Sequence, residues 1–229
     1  MSRTTDVVTS WAASFLSLGA GMRASTHSRA PAKLLELYEF EQCPFCRKVR
    51  EALSELDLSA MIYPCPPKGE RYRPKAVELG GKKQFPLLVD PSGGERLYES
   101  DDIVRYLAST YGDGTIPLHL RFGALTTARA ALTGLPRGRH KLERSSLPDK
   151  PLSLWSFEAS PYCRIVREAL CNLEIPYVLH NVAKGSKHRD AFIARSGKMM
   201  VPYLADPNTD KEMFESGDIV SYLRATYGY

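Results

Sequence analysis

The chain states one pattern twice, and that restricts its fold more than anything else in it. Cys46, Val49 and Arg50-Glu51-Ala52-Leu53 recur 117 residues later as Cys163, Val166 and Arg167-Glu168-Ala169-Leu170. After one deletion the offset is 116: Lys68-Gly69 matches Lys184-Gly185, Pro86 matches Pro202, and Asp90-Pro91 matches Asp206-Pro207. Glu99-Ser100 and Tyr111-Gly112 match Glu215-Ser216 and Tyr227-Gly228 at the same offset. Self-similarity across a whole supersecondary unit means two copies of one domain. Residues 11–18 and 125–135 share apolar spacing and a following Gly/Arg tail, which extends the repeat ahead of each copy. The expected divisions are an amphipathic, flexible segment at 1–32, a first copy at 33–112, a basic, partly helical linker at 113–150 and a second copy at 151–229.

Within the first copy, residues 34–40 read as a buried strand and 44–57 as a helix with Val49, Leu53 and Leu56 inward. Residues 60–63 form a second strand, ended by Pro64-Cys65-Pro66-Pro67, and 73–79 a short helix stopped by Gly80-Gly81. Residues 87–89 and 96–98 flank Asp90-Pro91-Ser92-Gly93-Gly94, a hairpin signal. Residues 100–111 make a helix opened by a side-chain cap. The order is β-α-β-α-β-β-α. Residues 6–18 have amphipathic spacing. The linker is too long for a simple loop, and a helix is expected at 125–132. Between 121 and 144 it carries six Lys/Arg and His140 against Glu143. Such a run reads as a solvated face, with a surface for an acidic partner or anionic lipid as the sharper alternative.

The chemistry centres on Cys43-Pro44-Phe45-Cys46, between the first strand and first helix. Cys43 is expected at the N-cap, with Pro44 at the first helical position, where a missing N–H costs nothing. Orphan N–H groups and the helix dipole favour a thiolate there, and Arg47 and Lys48 are expected to add positive charge. Cys46, one turn on, is placed to attack a mixed disulfide formed at Cys43. Half a zinc site is the lesser reading, because no second C-x-x-C and no histidine pair at ligand spacing occurs. No metal ligand is nominated.

A C-P-[FY]-C turn after a first strand resembles the glutaredoxins, dithiol members of the thioredoxin fold. Phe85-Pro86 resembles the place where that fold keeps a cis-proline facing the active cysteine. Glu99-Ser100 resembles the pair with which glutathione transferase N-terminal domains hold the γ-glutamyl end of glutathione. The resemblance covers residues 34–112 and 152–228. It implies an α/β fold of two tandem thioredoxin-like domains, with Cys43 and Cys46 catalytic and Phe45, Arg47, Phe85, Pro86, Glu99 and Ser100 binding glutathione. The second-copy equivalents are Ser160, Cys163, Pro202, Glu215 and Ser216. There Ser160 replaces the nucleophile. A serine hydroxyl forms no mixed disulfide but can donate to a glutathione thiolate, as in serine-type transferases, so this copy is degenerate in redox terms. A transferase proper adds an all-helical domain, and nothing in this sequence resembles one.

The implied function is glutathione-linked thiol–disulfide oxidoreduction, on disulfide or glutathionylated substrates. The alternatives are a glutathione- or iron–sulfur-binding sensor or scaffold, transferase-like activity, or an interaction protein recruited through its linker. Cys65 reads as an incidental thiol and Cys171, aligned with Ser54, as a surface or half-buried one. The repeated tyrosines Tyr106, Tyr111, Tyr222 and Tyr227 read as packing residues. A net charge of +5 allows acidic partners without requiring nucleic acid. No apolar run is long enough to span a membrane. Five cysteines without framework spacing argue for a reducing compartment. The cytoplasm is expected, or a plastid stroma in a photosynthetic eukaryote, since residues 1–30 contain Ser, Thr and Arg with Asp6 as their one acid.

Overall fold

Apolar runs bounded by proline and glycine become strands where the sequence predicts them. The computed structural model describes residues 21–25, 28–121 and 142–229. The first copy comprises β1 (Leu35–Glu39), α1 (Pro44–Glu55), β2 (Ala60–Pro64), α2 (Arg73–Gly80), β3 (Leu87–Asp90), β4 (Glu95–Leu97) and α3 (Ser100–Tyr111). One helical turn, α4 (Leu118–Arg121), follows. The second copy repeats the plan as β5 (Leu152–Ser156), α5 (Pro161–Asn172), β6 (Tyr177–Asn181), α6 (Arg189–Ser196), β7 (Tyr203–Asp206), β8 (Lys211–Phe214) and α7 (Ser216–Tyr227). Both copies are thioredoxin-like, β-α-β-α-β-β-α. The amphipathic stretch at 6–18 and the linker helix at 125–132 lie outside the described residues.

The two copies share a single eight-stranded sheet, ordered β4-β3-β1-β2-β6-β5-β7-β8. The seam is β2 against β6, antiparallel, with Ala60 opposite Leu179, Met61 opposite Val178 and Ile62 opposite Tyr177. Met61 and Val178 are themselves equivalent at the offset of 117, so an approximate two-fold axis passes between them. Because β1 is parallel to β2 and β5 to β6, β1 and β5 run in opposite directions. The loops that follow them, at Glu41 and Glu158, nevertheless meet at Arg50.

Helices α1, α3, α5 and α7 cover one face and bury one continuous core, in which Val49, Leu53, Ile103 and Leu107 meet Val166, Leu170, Ile219 and Leu223. Helices α2 and α6 cover the other face over two smaller clusters, one around Tyr38, Cys65 and Leu87, the other around Val182, Phe192 and Tyr203. α2 and α6 stop at Gly81 (φ +77°) and Gly197 (φ +79°), left-handed positions that glycine adopts without a Cβ penalty. The repeated tyrosines pack as expected and also donate hydrogen bonds: Tyr106 and Tyr111 to Asp90, Tyr222 and Tyr227 to Asp206. Each aspartate is buried at its hairpin.

Between α1 and α5 the filling is ionic. Arg50 and Arg167, equivalent residues of the two copies, are both fully buried, and each bonds a glutamate of the other copy. Arg50 Nε donates to Glu158 at 3.0 Å, and Arg167 reaches Glu41 with Nε at 3.0 Å and Nη2 at 3.1 Å. Arg167 also lies 2.9 Å from Glu158, and Arg50 3.3 Å from Glu41. The exchange is reciprocal down to the backbone: Arg71 N–H donates to Glu174, and the equivalent Lys187 N–H donates to Asp57. Burial this deep is tolerated because every guanidinium meets carboxylates in paired geometry.

Candidate active site

Cys43 takes the N-cap of α1 in extended conformation, with Pro44 in the first turn. Its Sγ accepts a hydrogen bond from the Cys46 backbone N–H at 3.3 Å. Ser160 does the same at α5, its Oγ accepting from Cys163 N–H at 3.3 Å. The Cys43 thiol is held below its ordinary pKa, chiefly by its hydrogen bond with the Cys46 side chain. Burial opposes this, the Cys46 and Phe45 N–H groups assist it, and the charge of Glu39 works against it. The direction matches the expectation, but its chief cause is the neighbouring Cys46 side chain, with the helix N-terminal N–H groups secondary.

Arg47 and Lys48 do not supply the positive charge expected beside it. Both are buried, Arg47 against Glu51 (3.0 Å) and Glu158 (3.9 Å), Lys48 against Asp101. Their positions one or two residues past Cys46 turn them inward, where carboxylates wait. The other thiols are all raised, in each case chiefly by burial: Cys46, Cys65, Cys163 and Cys171. Cys171, expected at or near the surface, is 2% exposed, because its helix face is the one turned to the first copy. Alkylation with iodoacetamide, read by mass across a pH series, should therefore modify Cys43 at lower pH than Cys65 or Cys171. Superimposable pH profiles for the three would remove Cys43 from its role.

Around this turn, Phe45 is 46% exposed, while Cys43 is recessed at 4%. The Phe85–Pro86 and Val201–Pro202 peptide bonds are both cis, as expected. Phe85 packs edge-on against Phe40 with centroids 6.3 Å apart. Glu99 is exposed, with its carboxylate 2.5 Å from Gln84 Nε2, and Ser100 is buried at the start of α3. The expected side-chain cap on this helix is absent. Glu99 itself is the N-cap at φ +62°, and Glu215 repeats that conformation at +68°. A left-handed non-glycine residue costs about 1–3 kcal/mol and persists where the surroundings demand it. Here it leaves the first N–H groups of α3 and α7 without a side-chain cap.

Sequence reasoning missed two features. One is the charged cluster of Glu39, Glu41, Arg50, Glu158 and Arg167. Its signal was present in the matched pairs Glu41/Glu158 and Arg50/Arg167. The other is a cleft of about 760 Å³ lined by Lys68, Gly69, Glu70, Arg73, Pro74, Val77 and Lys83. Arg73 ties this cleft to the redox turn, its guanidinium lying 4.6 Å from the Phe85 ring centroid and 5.8 Å from that of Phe40. Three cations there face one acid. Among the described residues no helix is long and apolar enough to cross a membrane.

A strand–cysteine turn–helix followed by a cis-proline and an uncapped α3, twice over, defines a tandem thioredoxin-fold protein. Residues 37–115 and 154–229 both match the glutathione S-transferase N-terminal domain family, and the chain belongs to that family. It is similar to the glutathione S-transferase GstB of Escherichia coli strain K12, 35% identical over 79 residues, which is 34% of this chain and 38% of the relative. GstB of a second E. coli strain, of serotype O6:H1, matches to the same extent. The match thus spans well under half the length of these curated relatives. No solved structure matches.

Proposed function

We propose that the chain is a glutathione-linked thiol–disulfide oxidoreductase whose first copy does the chemistry. The observation that carries this reading is the asymmetry at two equivalent helix caps, a lowered thiol at Cys43 and a hydroxyl at Ser160. The Cys43 thiolate attacks the disulfide of a glutathionylated or oxidised substrate, forms a mixed disulfide and expels the substrate thiolate. Cys46 then attacks the Cys43 sulfur and releases the bound thiol, or a second glutathione attacks the sulfur of the bound glutathione, forming glutathione disulfide and freeing the Cys43 thiolate.

Three features support glutathione as the partner. The backbone at half-buried Phe85, ahead of cis-Pro86, suits the cysteinyl moiety, and exposed Phe45 offers it an apolar face. The uncapped N-terminus of α3, with Ser100 and Glu99, suits the γ-glutamyl end, whose carboxylate a helix N-terminus favours. Lys68, Arg73 and Lys83 suit the glycyl carboxylate at the other end. Arg47, tied to Glu51 and Glu158, serves the charged cluster instead. In the second copy Ser160, Pro202, Glu215 and Ser216 keep a binding geometry, with Cys163 buried behind them. Thiol chemistry of this kind belongs in a reducing compartment such as the cytoplasm.

The test is reduction of a glutathionylated peptide coupled to glutathione reductase, with intact mass of the trapped intermediate. Turnover with one glutathione on Cys43 is the expected result. Glutathione found only on other cysteines, with no turnover, would overturn the proposal.

A further inference from the structure

The two copies hold the same arginine beside the cysteine or serine turn and differ in the lysines around it. Arg73 Nε donates to the carbonyls of Cys65 (3.1 Å) and Pro66 (2.6 Å), and Arg189 Nε donates to those of Val182 (3.2 Å) and Ala183 (2.9 Å). This anchor is common to both copies. Lys83 is not. Its equivalent is Met199, which packs against the cluster of Val182, Phe192 and Tyr203.

Lys68 differs as well, although the sequence pairs it with Lys184. Gly69 N–H donates to the Pro66 carbonyl at 2.8 Å and Ser186 N–H to that of Ala183 at 3.0 Å, which sets the two turns in register at the offset of 117. Lys68 therefore stands where the second copy has Gly185. Both residues are left-handed, at φ +67° and +88°. Glycine adopts that conformation freely, whereas a lysine there is strained and persists where function selects it. Lys184 falls opposite Pro67. Its N–H donates to the Met22 carbonyl and its own carbonyl accepts from Ala24 N–H, both at 2.9 Å. Pro67 has no N–H for such a contact.

The cleft that Lys68 and Lys83 flank measures about 760 Å³, the scale of a whole ligand rather than of one carboxylate. Both lysines are exposed, and neither is in an ion pair among the described residues. One cation, the shared arginine, is enough for the single glycyl carboxylate of glutathione. The two lysines occur only beside the reactive cysteine, where the other half of a disulfide must also be received.

We propose that Lys68 and Lys83 select the substrate by taking carboxylates of an acidic polypeptide segment that flanks its glutathionylated cysteine. The inference rests on the oxidoreductase reading above and names the substrate class of that same site. The lysines form no covalent bond and move no proton. They attract and hold an acidic partner while Cys43 attacks, an effect that acts chiefly on association and is screened by salt.

Two peptides of equal length, each glutathionylated on its one cysteine, test this. One carries Asp and Glu on both sides of the cysteine, the other Lys at the same positions. At low salt kcat/KM should favour the acidic peptide by about tenfold, since each exposed ion pair is worth roughly twofold to fivefold. The ratio should fall toward unity at high salt, a measurement that needs no variant. Lys68→Gly and Lys83→Met install the second copy's own residues, so neither is foreign to the fold. Each should cut the ratio by about twofold to fivefold, and the double variant should bring it to about one. Any part a lysine plays in holding glutathione is common to both peptides and cancels in the ratio. An equal or inverted preference in the unaltered protein overturns the inference alone, as does a preference that high salt or the double variant leaves intact. If neither peptide is reduced, the oxidoreductase reading itself is overturned and the inference falls with it.

Discussion

With Cys43 replaced by serine, reduction of a glutathionylated peptide falls to the uncatalysed rate, whereas Cys163→Ser leaves it unchanged. A serine at the α1 cap keeps the hydrogen bond to the residue-46 N–H, as Ser160 shows at α5, so the fold survives the change. What is lost is the sulfur, and a hydroxyl forms no mixed disulfide. Cys163 is buried behind a serine, with no partner thiol at its own cap. Its sulfur is hydrogen-bonded to Ser156 and Ser160 of its own copy, not to Cys43. Cys46→Ser should be milder than Cys43→Ser on glutathione mixed disulfides, because free glutathione can resolve the intermediate in its place. Coupled turnover of the three variants, with far-ultraviolet dichroism as the folding control, decides the matter. Equal damage from Cys163→Ser and Cys43→Ser would mean the copies share one centre.

The second large effect concerns stability. Glu158→Ala should destabilise the whole chain by about 3–5 kcal/mol, the scale of a broken buried ion pair, lowering Tm by roughly 6–20 °C for a protein of this size. Glu158 belongs to the second copy, yet it faces Arg50 and Arg47 of the first as well as Arg167. Its loss strands buried guanidinium charge on both sides of the seam. Glu78→Ala is the control, since its pair with Lys75 is solvent-exposed and is worth about 0–1 kcal/mol. One core runs through both copies, so a single unfolding transition should shift as a unit. Two separated transitions, with only the second affected, would refute the shared core.

Most of the element order was legible because its signals are local. Period, proline and glycine mark each strand and helix, and the repeat doubles every signal. The fusion of the sheets was not legible, because it depends on a long-range choice. Residues 60–63 read equally well as an edge strand, and nothing local names β6 as their partner. Arg50 and Arg167 look like solvent-facing charges on amphipathic helices. Only the approach of Glu41 and Glu158 across the seam makes them interior, which also explains the misplaced Arg47 and Cys171. Ser100 failed as a cap for a different reason. The left-handed turn sits at Glu99, a residue type that does not advertise that conformation. At the site, the cap chemistry of Cys43 could be read from four residues, but Glu39 and the Lys68–Arg73–Lys83 cleft required the fold.

The β2–β6 seam has the form of an isologous association: the same patch used twice about a two-fold axis, here between parts of a single polypeptide. A free homodimer of this kind must carry every substitution on both sides at once, so a change useful at one site is imposed on the other. Tethering lifts that obligation and holds the partner at high effective concentration. Cys43 and Ser160, Glu39 and Ser156, Ser54 and Cys171 are departures from symmetry that only a covalently joined pair can hold. One half is thus free to specialise in support while the other keeps its reactive sulfur.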